Sequence, residues 1–156
     1  MLEAGKHAPA FTLPDADMEL VKLSDFKGKN AVVLFFYVRD DTPGCTTEAI
    51  EFSDHDEEFA DRGVVILGIS RDDCISHAEF RDKHGISVRL LADKDGEVHR
   101  KYGVLQEREV DGVKRLSAVR STFIIDRHGN VRRALYGVPS KGHALQVLKL
   151  LDDLAK

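Results

Sequence analysis

Seven consecutive residues, Ala31-Val32-Val33-Leu34-Phe35-Phe36-Tyr37, form an unbroken β-branched and aromatic run. A strand with one wet face alternates apolar and polar residues, so an unbroken run is expected of a strand buried on both faces. Val64-Val65-Ile66-Leu67-Gly68-Ile69 is a second such run, and Ser121-Thr122-Phe123-Ile124-Ile125-Asp126 a third. The third enters the turn Arg127-His128-Gly129-Asn130 and returns through Val131 to Tyr136, which reads as a hairpin. Asp111-Gly112 predicts another hairpin, and Phe11–Leu13 with Glu19–Leu23 predicts a small N-terminal edge hairpin. Between these stretches lie three helical ones. From Thr42 to Arg62, Ala49, Phe52 and Phe59 recur at helical spacing, with Gly63 as the terminating residue. Asp73 to His84 ends at Gly85 in the same way, and Ala144, Val147, Leu148, Leu151 and Leu154 stripe one face of a C-terminal helix. Alternating strands and helices with a late hairpin predict an α/β sandwich, a central sheet covered by helices. At 156 residues the chain is read as one domain, 1–156.

Composition narrows the function. Lys and Arg number 23 against 27 Asp and Glu, so the basic footprint of a nucleic-acid binder is missing. The longest apolar run, Ala31 to Val38, falls far short of the ~20 residues that span a bilayer. Residues 1–6 show no charged segment leading into an apolar one, so no secretory signal is expected. Two cysteines without a Cys-x-x-Cys pair make no disulfide scaffold, which points to a reducing cytoplasm.

The stretch that carries chemistry is Asp40-Asp41-Thr42-Pro43-Gly44-Cys45-Thr46-Thr47-Glu48, between the first buried strand and the first helix. Thr42 is a preferred N-cap residue and Pro43 falls at N1, where its missing N–H costs nothing. Cys45 is then at N3, close to unpaired N–H groups and the positive end of the helix dipole, both of which favour a thiolate. Local charge acts in the opposite direction: Asp40, Asp41 and Glu48 outnumber Arg39, and nearby carboxylates raise a thiol pKa. Local physics therefore leaves two readings open, a reactive sulfur served by a distant cation and a small buried hydrophobe at a helix start.

The string Phe36-Tyr37-Val38-Arg39-Asp40-Asp41-Thr42-Pro43-Gly44-Cys45-Thr46-Thr47-Glu48-Ala49 resembles the active-site signature of the peroxiredoxins, most of all the peroxiredoxin Q or bacterioferritin comigratory protein subgroup. The likeness extends over Gly5–Leu13, Gly68–Ser70, Leu90–Tyr102 and Arg120–Asp126. It implies a thioredoxin-like fold with a central mixed sheet flanked by helices, and reduction of hydrogen peroxide and organic hydroperoxides. Cys45 matches the peroxidatic cysteine, Thr42 the threonine before it, and Arg120 the arginine that completes the site, with Gly44, Tyr37 and Val38 in the substrate pocket. On this reading Arg120 is the distant cation. It holds the thiolate and stabilises the departing oxygen, while Thr42 and the N–H groups around Gly44 and Cys45 fix the peroxide in line.

Two departures stand out. Val38 occupies the place of the family's proline, which predicts an altered pocket wall. Ile50 occupies the place of a resolving cysteine, and a second family position for that cysteine falls near Arg81. Cys74 matches neither position and is a candidate resolving thiol only by availability. The expectation is a one-cysteine cycle in which an external thiol, thioredoxin or another, reduces Cys45 directly. No cofactor is expected. A metal site at Cys74 and His77, spaced i, i+3, lacks a second ligand pair and is set aside. His55, His99 and His143 are read as surface or helix-end residues. A non-enzymatic redox sensor or holdase using the same cysteine is the alternative, and a monomer is expected.

Overall fold

The computed structural model describes residues 2–155, apart from the side chains of Arg108 and Val110; Met1 and Lys156, the ends of the expected 1–156 domain, lie outside them. The elements run β1 (Thr12–Pro14), β2 (Leu20–Lys22), a 3-10 turn (Leu23–Phe26), β3 (Ala31–Phe36), α1 (Pro43–Asp54), α2 (Asp56–Asp61), β4 (Val64–Ser70), α3 (Cys74–His84), β5 (Arg89–Ala92), α4 (Glu97–Lys101), β6 (Leu105–Val110), β7 (Val113–Ala118), β8 (Ser121–Ile125), β9 (Val131–Tyr136) and α5 (His143–Leu154). Five strands make the central mixed sheet in the order β5-β4-β3-β8-β9. β3, β4 and β5 are parallel, and β8 runs antiparallel to both β3 and β9. β1–β2 and β6–β7 are separate two-stranded hairpins. The first lies against the sheet's edge strand β5, joined to it by a bridge from Asp15 to Leu91.

The strand pleat sorts the apolar run onto two cores. Val32, Leu34 and Phe36 face a cluster with Leu67, Ile69, Val98, Tyr102 and Phe123. Val33, Phe35 and Tyr37 face the opposite cluster, built from Cys45, Ala49 and Phe52 of α1, Phe59 of α2, Phe80 of α3, and Ala144, Val147 and Leu148 of α5. Phe35 stacks on Phe52 at 4.7 Å between centroids and 15° between planes, which seats α1 on the sheet. The ring also leans over Gly68, its register partner on β4, where an added Cβ would lie 2.7 Å from Phe35 Cζ. Only glycine admits that approach.

The helix expected over 42–62 is broken at His55, which adopts φ −104° and ψ 8° and ends α1 as it begins α2. The loop before β5 docks at the break. Ser87 donates its N–H to Ser53 Oγ and its hydroxyl to the Ser53 carbonyl and to Asp56, so a side chain intrudes on the helical ladder. The acidic run then serves the second helix, placing Asp56, Glu57 and Glu58 in its first turn. Two of the histidines read as surface or helix-end residues are not on the surface, although His143 does open α5. His99 and His143 are fully buried, the first paired with Asp93 and the second with its Nε2 2.8 Å from Thr122 Oγ1. Neither pairing has a local sequence signal.

Candidate active site

β3 and β4 are parallel and in register, Phe36 opposite Ile69, so the helices that follow them both start at the same edge of the sheet. β8 is antiparallel to β3 with Ser121 opposite Phe36, and Arg120 therefore arrives at that edge as well. Three segments far apart in sequence converge there.

Thr42 is the N-cap of α1 and Pro43 its first residue, which puts Cys45 in the first turn as expected. The capping itself differs. Thr42 makes no side-chain cap bond; its hydroxyl donates to the Arg39 carbonyl at 3.1 Å. Cys45 is 1% exposed, and Arg120 Nη2 approaches its sulfur to 3.2 Å. Gly44 makes room for this contact, since a Cβ there would lie 3.1 Å from Arg120 Nη2. The arginine side chain is itself 16% exposed, so its charge acts on the sulfur with little screening by water.

The carboxylates that local sequence set against a thiolate are each occupied or discharged. Asp40 accepts from Tyr37 (2.6 Å), Ser76 (2.8 Å) and His77 Nδ1 (2.8 Å), and its N–H donates to Asp72. His77 Nε2 lies 2.9 Å from the Leu91 carbonyl, which can only accept. Asp41, at φ 59°, is bound by Lys83 at 2.6 Å and His84 at 2.8 Å, which hold its carboxyl below the usual carboxylate range. Both ties fasten the loop before Cys45 to α3. Glu48 is fully buried one turn after Cys45, with Oε1 3.9 Å from Arg120 Nε. Burial pushes its carboxyl up to about 8, against the pull of Arg120, so the group is uncharged at neutral pH. Sequence reasoning counted Glu48 as an anion. Its position on the buried stripe Cys45, Ala49, Phe52 was the available signal.

Tyr37 is fully buried behind the loop, packed against Phe35, His77 and Phe80, whereas Val38 is 43% exposed. Cys74 opens α3 and is partly exposed, with no disulfide to Cys45. Burial, then Asp73 and Asp15, push its thiol upward, so little of it is thiolate at neutral pH. The two other positions considered for a resolving thiol hold Ile50 and Arg81, the latter ion-paired with Asp17 and Asp82. His77 turns to Asp40, with no hydrogen bond to Cys74. Donor atoms of Asp40, Asp72 and His77 lie within 4.8 Å of one another, each engaged in the hydrogen bonds above. An apolar cavity of about 230 Å³, lined by Ala8, Leu23, Phe26, Val32 and Ile125, belongs to the opposite end of the sheet. Concavity alone would misplace the site.

The profile of the AhpC/TSA family matches residues 4–134. The chain is 42% identical over 147 residues to a putative peroxiredoxin bcp of Coxiella burnetii, covering 94% of this chain and 97% of that one. It is 38% identical over 155 residues to peroxiredoxin Bcp of Bacillus subtilis, covering 99% and 98%. Among solved structures, the Xanthomonas campestris bacterioferritin comigratory protein, studied for alkyl peroxide reduction as a trapped intermediate/ligand complex, superposes with a TM-score of 0.93 at 35% identity, covering 99% and 100%. A PrxQ mutant of Xylella fastidiosa gives 0.94 at 30% identity, covering 100% and 99%.

Proposed function

The chain belongs to the AhpC/TSA family and is a peroxiredoxin of the Q or Bcp kind, and from that premise we propose which residues perform its peroxide reduction. Cys45 is the nucleophile. Its thiolate attacks the terminal oxygen of ROOH: the S–O bond forms as the O–O bond breaks, RO⁻ leaves and takes up a proton, and Cys45 is left as sulfenic acid. The observation that carries this assignment is the 3.2 Å approach of Arg120 Nη2 to the Cys45 sulfur. A guanidinium there favours the thiolate and meets the negative charge that grows on the leaving oxygen. Thr42, with its own proton committed to Arg39, offers its oxygen as an acceptor for the peroxide's proton. The N–H groups of the first turn of α1 stand as further donors, and Gly44 and Val38 border the entry, with Tyr37 supporting the loop from behind.

An external thiol completes the cycle. It attacks the sulfenic acid, releasing water and forming a mixed disulfide, which a second thiol cleaves to regenerate Cys45. The upward-shifted thiol of Cys74 and the anchoring of α3 to Asp40 and Asp41 support this one-cysteine route over an internal disulfide. The reductant is thioredoxin or another thiol, and the setting a reducing cytoplasm, in keeping with two free cysteines. Among the described residues no helix is long and apolar enough to cross a membrane. The chain acts as a single-domain monomer; its exposed large apolar residues, such as Met18, Ile75, Leu116 and Leu145, are spread over different elements.

Intact-protein mass spectrometry after one equivalent of hydrogen peroxide, with and without a dimedone-type trap, tests the scheme. A single trapped sulfenic acid on Cys45, absent in Cys45→Ser, is expected. An untrapped internal disulfide would refute the one-cysteine route, and persistent turnover in Cys45→Ser would remove Cys45 from the mechanism.

A further inference from the structure

The Thr42 oxygen is open to the peroxide's proton because its own proton is held elsewhere, on the Arg39 carbonyl at 3.1 Å. The direction of that carbonyl is set from outside the loop. Arg39 and Asp40 share one trans peptide unit, and in such a planar unit the C=O and the N–H point in opposite directions. The Asp40 N–H donates to Asp72 Oδ2 at 2.8 Å. Asp72 lies in the β4–α3 connection, 32 residues further on. Its Oδ2 also accepts from the hydroxyl of Ser70 at 2.6 Å, and its N–H returns a bond to the Ser70 oxygen at 3.1 Å. Ser70 is fully buried and ends β4, so the carboxyl is tied to the sheet. Holding the N–H end of the peptide toward Asp72 aims the carbonyl end at Thr42. The neighbouring ties act elsewhere: Tyr37, Ser76 and His77 hold the Asp40 side chain, and Lys83 and His84 hold that of Asp41. They fix where the loop lies and leave the Arg39–Asp40 peptide to Asp72.

We propose that Asp72 is a positioning residue for Thr42: it fixes the Arg39–Asp40 peptide so that the Arg39 carbonyl takes the Thr42 proton and the Thr42 oxygen stays open to the peroxide. This rests on the reading of Cys45 as the nucleophile and Thr42 as the acceptor. A carboxylate on the N–H also polarises the peptide and strengthens its carbonyl as an acceptor. Without Asp72 the carbonyl loses its fixed direction, and the Thr42 hydroxyl is released to turn its proton into the site, where a second proton has to be received. Asp72 itself makes and breaks no bond and passes no proton.

Two rates measured on Cys45 separate positioning from a merely structural role. Oxidation by hydrogen peroxide uses Thr42, whereas alkylation by iodoacetamide needs only the thiolate and access to it. Asp72→Ala should oxidise about tenfold more slowly, the loss expected of one orienting hydrogen bond, with its alkylation rate unchanged. Asp72→Asn keeps an acceptor oxygen and should recover most of the oxidation rate. General loosening of the helix start would instead speed alkylation of the buried sulfur. Unchanged oxidation in Asp72→Ala, or a parallel change in both rates, would overturn the proposal. Combined with Thr42→Val, Asp72→Ala should add no further loss of oxidation rate. Additive losses would overturn the proposal and leave Thr42 as the acceptor. Wild-type oxidation in Thr42→Val alone would overturn the reading of Thr42, and the proposal with it. Ser70→Ala, which takes the hydroxyl away from Asp72 Oδ2, should show the same selective loss to a smaller degree. It decides the matter if Asp72→Ala fails to fold, and unchanged oxidation in it would then overturn the proposal.

Discussion

Arg120 Nη2 stands 3.2 Å from Cys45 Sγ although 75 positions separate the two residues. Strand register makes the contact. Ser121 pairs with Phe36 on antiparallel strands, which sets Arg120 at the edge where the chain leaves β3 for the Cys45 helix. The cation beside the sulfur comes from a strand start, and the sulfur itself sits in the first turn of a helix.

Arg120→Met should impair the reaction by removing the cation beside the sulfur. Oxidation of Cys45 should be slower by ~10²–10³, the usual loss for one charge-stabilising donor, and should stay slower at high pH. Stopped-flow rates against pH measure the loss. Wild-type rates at high pH would remove Arg120 from stabilising the departing oxygen.

Gly44→Ala should weaken the site without touching a reacting atom. The new Cβ would sit 3.1 Å from Arg120 Nη2 and 3.2 Å from Nη1, so the guanidinium must give by about a few tenths of an ångström where it meets the sulfur. Peroxide reactivity should fall by about tenfold, a partial version of losing the donor, with little change in thermal stability. Unchanged kinetics would mean the guanidinium has slack that the static contact does not reveal.

Cys74→Ser should retain most of the turnover supported by an external thiol. Its thiol is shifted upward by burial, Asp73 and Asp15, and it starts a helix whose neighbours Ser76 and His77 are bonded to Asp40. Thioredoxin-coupled assays with the variant decide the matter. Loss of activity together with loss of an internal disulfide would make Cys74 the resolving thiol.

Stability should carry the signature of Glu48. Its folded-state pKa, about 8, lies above the ordinary 4.5, so between those values the folded protein holds a proton that the unfolded chain gives up. The contribution is complete at acid pH and is lost as pH rises through that window, by up to about 1.4 kcal/mol per pH unit. His143 has the opposite sign, because burial lowers its pKa and its protonation penalises the fold at acid pH. Urea unfolding of wild type and Glu48→Gln across pH isolates the first effect: the difference should grow in favour of the variant as pH rises. Parallel curves would mean that Glu48 is ionised in the folded state.

Much of the architecture was legible in local pattern. Apolar runs marked β3, β4 and, after its opening Ser121-Thr122, β8, because a strand covered on both faces has no wet side to encode. Thr42 and Pro43 marked the start of α1, and with it the position of Cys45, because capping and proline geometry are properties of adjacent residues. The break at His55 was not legible, since its cause is Ser87 docking from another part of the chain. The central hairpins were marked by their turns, while the short β5 and α4 carried too little periodicity to announce themselves.

The chemistry divides along the same line. Sequence by itself determined that a cysteine occupies the first turn of a helix after a buried strand, and the motif around it marked the family. It misjudged the local field. Counted along the chain, Asp40, Asp41 and Glu48 oppose a thiolate; folded, Asp40 serves Tyr37, Ser76 and His77, Asp41 serves Lys83 and His84, and Glu48 keeps its proton. Only the tertiary structure decided which charges face the sulfur. A carboxyl's influence depends on its partners and on the water left around it, and both are set by residues tens of positions away.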